Sequence, residues 1–192
     1  MENVIIIDTE TVTGTYGLLS AGLVVVALDG SRITPLDTYF GFSDEFHYGF
    51  YYAQQAAYAK RNGVKRKPRC EIEEDINGLV RRYDVKTALA YNARFDKTVS
   101  RQYFPSLEFR WLDLMKPARQ VLAGAEHYPA YQRLYPGVEL TRGGLLKRNY
   151  SVECVGRYLG LPHETHVAVE DAQMEMEIAI RLGLLNSAHP VK

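Results

Sequence analysis

The run Val4-Ile5-Ile6-Ile7-Asp8-Thr9-Glu10 sets a physical problem that the remainder of the chain has to solve. Val4 to Ile7 are all apolar and β-branched, the pattern of a strand covered on both faces. Side chains alternate along a strand, so Asp8 and Glu10 leave its end on one common face. Two carboxylates side by side at a buried strand end are costly unless a cation or a shared proton neutralises them. Hard divalent cations take oxygen ligands, so a Mg²⁺ or Mn²⁺ site is the expected solution. Acid-x-acid spacings arise by chance in a chain with 23 Asp and Glu residues, and Glu71/Glu73, Glu73/Asp75 and Glu175/Glu177 repeat the pattern. Only the pair at 8 and 10 follows an apolar strand pattern. The test is whether further ligands stand elsewhere in the chain.

A chain of 192 residues, 46% hydrophobic and 24% charged, fits one soluble domain (1–192) with a sizeable core. Lys plus Arg and Asp plus Glu both number 23, and a balanced total still allows local basic clusters. Cys70 and Cys154 stand far apart and in no metal-ligand spacing. That argues against a disulfide framework or structural zinc and suits a reducing compartment. No basic-then-apolar leader opens the sequence, and the longest near-apolar stretch, Leu18 to Leu28, is too short to span a bilayer. A cytoplasmic protein with no membrane attachment is expected.

Outward from the first strand (about 3–8), a turn-rich segment leads to a second buried strand, Leu18 to Leu28. Asp29-Gly30 signals a tight hairpin, and Ile33 to Phe42 returns as a third strand in which Pro35 implies an edge or a bulge. Glu71 to Tyr83 carries helical spacing, and Thr87 to Tyr91 reads as a buried strand parallel to the first. A helix follows from Asp96 to about Tyr103, where Asp96 serves equally well as a partner of the free N–H groups at the helix start. Phe109 to Leu114 is a short fifth strand, and Met115 to Leu122 a helix. Ser151 N-caps a further helix that Gly160 and Pro162 end. In the last helix, running to about Leu184, Asp171 shares the inward face of Met174 and Ile178, which repeats the problem posed by Asp8 and Glu10. The pattern is α/β: a five-stranded mixed sheet, three antiparallel strands and then parallel additions, flanked by helices.

Two segments interrupt it. Residues 44–69 hold Phe46, His47, Tyr48, Phe50, Tyr51, Tyr52 and Tyr58, followed by Lys60, Arg61, Lys65, Arg66, Lys67 and Arg69 with no acid between them. Aromatics beside cations suit single-stranded nucleic acid. A helix over about 52–61 with a core-facing Tyr stripe and a solvated basic loop fits as well. Residues 124–150 are rich in Gly, Pro and Tyr and read as a long surface loop.

Asp8-x-Glu10, Asn92-x-x-Phe95-Asp96, and His166 with Asp171 five residues on stand in this order along the chain. The arrangement resembles the DEDDh 3′→5′ exonucleases, the DnaQ-like family with an RNase H-like fold, over residues 4 to about 184. Thr11 and Gly14 loosely match an extension of the first motif. Tyr91 stands where the second motif usually has His. In the family's Tyr variant a Tyr stands four residues before the last Asp, and position 167 is Val.

The resemblance implies a metal-dependent 3′→5′ exonuclease hydrolysing phosphodiester bonds at the 3′ end of single-stranded DNA or RNA. It implies two divalent cations, Mg²⁺ or Mn²⁺, with Asp8 bridging them, Glu10 and Asp171 on one, and Asp96 orienting the other. His166 is then the general base. Thr9 and Thr11 offer contacts to the terminal nucleotide, and Asn92 and Phe95 to its sugar or base, each serving equally as a structural residue. A homodimer, or a polymerase or other nucleic-acid enzyme as partner, is compatible with the family. Two alternatives remain: a non-catalytic nucleic-acid-binding or polymerase-associated subunit of the same fold, and a nuclease specific for very short oligonucleotides.

Overall fold

The computed structural model describes residues 2–12, 15–29, 32–186 and 189–190, with 186, 189 and 190 as backbone alone. Strands β1 (Glu2–Thr11), β2 (Leu18–Asp29) and β3 (Arg32–Ser43) form an antiparallel meander. Helix α1 (Tyr52–Arg61), β4 (Arg66–Lys67) and α2 (Arg69–Tyr83) follow, then β5 (Thr87–Ala90), α3 (Arg94–Tyr103) and β6 (Arg110–Asp113). The chain closes with α4 (Met115–Leu122), α5 (Tyr128–Leu134), α6 (Val152–Tyr158), α7 (Ala168–Arg181), a 3₁₀ turn at Leu184–Asn186 and β7 (His189–Pro190). The sheet order is β4-β3-β2-β1-β5-β6-β7, with β5 parallel to β1 and β6 parallel to β5. Among the described residues, no helix is long and apolar enough to cross a membrane.

β1 lies at the centre and is covered on both sides, as its unbroken apolar run requires. Val4 and Ile6 face the cluster built with α4, α5, α6 and α7, whereas Ile5 and Ile7 face the one built with α2 and α3. The alternation carries past the apolar run. Asp8 and Glu10 continue the row that faces α7, and Thr9 continues the row that faces α3. A register shift follows between Glu10 and Thr11, where the β1–β2 ladder passes from Glu10↔Ser20 to Thr11↔Leu18. Bulges of this kind re-aim side chains and occur beside active sites.

All five expected strands form, but the sheet has seven among the described residues. β4 and β7 are two-residue additions at the two edges, too short to carry a hydrophobic pattern. Pro35 sits at a bulge, as expected: Val25 pairs with Asp37 and Val26 with Pro35. The β2–β3 ladder is paired up to Asp29↔Arg32. Gly30 of the expected hairpin turn, and Gly14 of the loosely matched extension, lie outside the described residues.

Two local expectations are corrected. Helix α3 begins at Arg94, two residues before the expected start, and Asp96 lies in its first turn, where free N–H groups favour a carboxylate. Helix α1 buries Gln55 and Ala59 and, as the helical reading expected, turns Tyr52 and Tyr58 onto the core rings Phe42 and Phe40, with centroids 5.7 and 4.8 Å apart. Residues 124–150 are not a surface loop throughout: they contain α5, and Tyr131, Val138 and Leu146 are buried in the core beside α7. Tyrosine explains this, because it brings a large apolar ring and a hydroxyl that satisfies irregular backbone. Tyr131 donates to the Asn149 carbonyl, Tyr128 to that of Val138, Tyr135 to that of Cys154 and Tyr91 to that of Tyr150.

Candidate active site

The site is assembled where three elements meet at the end of β1. Gly22 on β2 pairs with Asp8 in the ladder. A Cβ on Gly22 would lie 2.0 Å from the backbone of Ala168 and Val169. Only a glycine lets the first turn of α7 rest directly on the sheet. That contact brings Asp171, 3% exposed, over Asp8 and Glu10. The loop before α7 folds back on it. Thr165 N–H donates to Asp171 Oδ1 at 3.2 Å, and His166 adopts a left-handed φ of 55°. The ring of His166 is thereby turned towards β1, with Nδ1 3.9 Å from Glu10 Oε1 and 3.8 Å from Glu164 Oε1. Ligand atoms of Glu10, His166 and Asp171 all lie within 4.8 Å of one another.

Asp96 approaches from the opposite layer. Thr9 donates its backbone N–H and its hydroxyl to Asp96 Oδ1, at 3.0 and 2.8 Å. The turn before α3 is held by Asp113 at the end of β6, whose carboxylate accepts from Ala93 N–H at 3.1 Å and Lys116 N–H at 3.1 Å. The fourth expected carboxylate thus reaches the strand end through Thr9.

Electrostatics mark the cluster as incomplete by itself. Burial, then the neighbouring Asp96, Glu175, Glu10 and Asp171, pushes the Asp8 carboxyl well above its usual range. Burial and the nearby Asp171 raise Glu10 to about 8. Burial raises Asp96 to about 7 against the pull of its Thr9 hydrogen bonds. Burial and Glu164 raise Asp171 to about 7. Asp8 Oδ2 and Asp171 Oδ2 are buried without a hydrogen-bond partner among the described atoms. Orphaned buried carboxylate oxygens call for an explanation. A hard divalent cation supplies one, since the donors are all carboxylate oxygens with one imidazole. The residues present fit such a cation.

The carboxylates Asp8, Glu10, Asp96 and Asp171 and the ring of His166 therefore converge. His163, the nearby alternative, is exposed, with Glu153 3.9 Å away. Thr9 is buried and its hydroxyl is given to Asp96. Thr11 is half-buried beside the bulge, and Asn92 is exposed with a left-handed φ of 67°. Phe95 is 36% exposed with its ring 6.1 Å from that of Tyr16.

Sequence reasoning missed several members. Glu175, 2% exposed, accepts from Tyr91 N–H at 2.9 Å, and burial and Asp96 push its carboxyl well above the usual range. Its position four residues after Asp171, on the same helix face, was the available signal. Gln55 of α1 is fully buried, accepts from Ser20 Oγ at 2.8 Å and donates Nε2 to the His166 carbonyl. Tyr51 stacks on the His166 ring with centroids 4.0 Å apart. No spacing in the sequence announces either contact.

No protein-family model and no curated protein matches this sequence. Solved structures do. Exonuclease X in complex with 5′-overhanging duplex DNA matches with a TM-score of 0.52 and 19% identity, over 96% of this chain and 92% of that one. A 3′-exonuclease bound to a histone mRNA stem-loop matches with a TM-score of 0.62 and 11% identity, over 100% of this chain and 71% of that one. The cell-death related nuclease CRN-4 matches with a TM-score of 0.55 and 10% identity, over 99% of this chain and 66% of that one. The fold is RNase H-like. At these identities the likeness speaks for the fold, and the chemistry rests on the site itself.

Proposed function

We propose that this protein is a divalent-metal-dependent 3′→5′ exonuclease acting on single-stranded DNA or RNA. The observation that carries the reading is the pair of orphaned, buried oxygens, Asp8 Oδ2 and Asp171 Oδ2, at a site where ligand atoms of Asp171, Glu10 and His166 lie within 4.8 Å of one another. Buried like charges without a counter-charge cost several kcal/mol, roughly, which a binding module has no reason to bear. The 3′-exonucleases among the structural neighbours support the same direction.

Asp8, Glu10 and Asp171 would hold one Mg²⁺ or Mn²⁺, and Asp8 with Asp96 a second. Bound cations would make a nucleophile of water and neutralise the leaving oxygen. The remaining work falls to the chain's own groups. In the reaction the water oxygen bonds to phosphorus, the bond from phosphorus to the upstream 3′ oxygen breaks, and a nucleoside 5′-phosphate leaves. His166 takes the proton of the attacking water. Glu10 and Glu164 stand 3.9 and 3.8 Å from its Nδ1. Thr9 holds Asp96 and leaves contacts with the terminal nucleotide to Asn92, Phe95 and Thr11.

The test is digestion of 5′-labelled single- and double-stranded DNA and RNA with Mg²⁺ or Mn²⁺. A ladder shortening from the 3′ end is expected, abolished by chelation and by Asp8→Asn. Absence of metal-dependent cleavage, or equal cleavage by Asp8→Asn, would overturn the reading.

A further inference from the structure

The aromatic segment before α1 splits into two parts with different fates. Phe46 packs on Gly17, where a Cβ would lie 2.7 Å from its ring, and Gly49 packs on Leu19 and Val12. The segment is thereby laid along the chain that leaves Glu10. Tyr51 stacks on His166, and Phe50 meets Tyr51 edge-on with centroids 5.0 Å apart. A line of rings thus leads from the candidate base to solvent: His166, Tyr51, Phe50. Phe50 is 75% exposed and Tyr48, one residue beyond Gly49, is 65% exposed. These are the two most exposed large apolar side chains described.

Four of the six cations that follow are engaged elsewhere, and Lys60 and Lys65 are exposed. Arg61 pairs with Glu170 at 3.2 Å and Lys67 with Asp75 at 2.6 Å. Arg66 donates to the Phe46 and Ser43 carbonyls and lies over the Phe42 ring. Arg69 lies over the Tyr103 ring. The half of the segment in ring contact with the site is the aromatic half.

We propose that Phe50 and Tyr48 form the track for the single strand upstream of the scissile phosphate, holding it by base stacking. This rests on the exonuclease reading for the identity of the site. Every base has a π-face, so such a track is tolerant of sequence and needs an unpaired strand. One face of Tyr51 is taken by His166, which makes Phe50 the first free ring outside the reacting centre.

The test uses fluorescence anisotropy of a 5′-labelled octathymidylate with the Asp8→Asn protein. Adding Phe50→Ala should weaken binding about tenfold, the range of one lost base–aromatic stack. That ratio should stay constant between about 50 and 200 mM salt, because a ring releases no counterions. In the active protein, Phe50→Ala should raise KM for the octamer about tenfold and leave kcat unchanged, and Phe50→Trp should restore KM. Turnover of the p-nitrophenyl ester of thymidine 5′-phosphate, which has no upstream base, should be unaffected. Unchanged octamer binding, an effect that fades with salt, or an equal loss on the ester each overturns the track. A protein that cleaves nothing but binds the octamer through Phe50 keeps the track and loses the exonuclease reading.

Discussion

Gly22 stands opposite Asp8 in the β1–β2 ladder, and the space of its missing Cβ is filled by the Ala168–Val169 backbone 2.0 Å away. This contact, with the apolar face of α7 packed on Val4, Ile6, Val24 and Val26, seats the N-terminus of α7 against the carboxylate row of β1. Gly22→Ala must push α7 off the sheet. We expect a loss of stability at or above the ~1–3 kcal/mol typical of overpacking, together with loss of cleavage, because Asp171 and His166 move with α7. Denaturant midpoints and oligonucleotide cleavage measure the two. A variant of unchanged activity would refute the role given to this contact.

Gln55 ties α1 to the backbone of His166. Gln55→Glu keeps the shape but removes the donor and sets a carboxylate against a carbonyl. A fall in kcat of about 10–100-fold with KM unchanged is expected, as for groups one step removed from the chemistry. Steady-state kinetics decide it, and a rise in KM alone would argue against positioning.

The raised carboxyls set the pH dependence of the metal-free protein. In the unfolded chain these groups titrate near pH 4, roughly. In the folded chain Asp96 and Asp171 are raised to about 7 and Glu10 to about 8. The folded state therefore binds more protons across that interval. The stability these groups contribute is fully present below about pH 4 and is lost as pH rises through about 7 to 8. Thermal melts in chelator should show Tm falling over that window, and Mn²⁺ or Mg²⁺ should raise Tm most at the alkaline end, where fewer protons must be displaced. A Tm that climbs with pH in chelator contradicts the cluster as described.

Asp8→Asn and Asp171→Asn should separate stability from chemistry. Each removes a buried charge whose oxygen has no partner, so Tm in chelator at about pH 8 should rise. Cleavage should fall by more than the ~10–100-fold expected for residues outside the metal's own ligands. Melts and cleavage rates on the same preparations check both. A fall in Tm would show that the orphaned oxygens are satisfied.

Glu175→Gln keeps an oxygen for Tyr91 N–H while removing a charge near Asp8 and Asp96. The metal-free protein should become more stable at about pH 8, and the Mg²⁺ concentration for half-maximal cleavage should rise, since one charge attracting the cation is gone. A metal titration of activity reads this. An unchanged requirement would leave Glu175 as the anchor of Tyr91 alone.

Much of this was legible in the chain itself, because it rests on periodicity. Four β-branched residues running into Asp8 and Glu10 specify a doubly covered strand with two carboxylates on one side, and Asp171 on the inner face of its helix follows from 3.6-residue spacing. The five main strands are likewise legible, since apolar runs and turn residues act over a few residues, and Pro35 marks an irregular place in the third. Contacts between distant segments carry no such period. That Asp96 enters through Thr9, that Tyr51 and Gln55 hold His166, and that 124–150 is half core became visible only when packing placed them. The sequence by itself determined which groups must be neutralised at the end of β1. The tertiary structure decided what surrounds them, because close approach depends on a missing Cβ at Gly22 and on the ladder register, neither of which a single segment encodes.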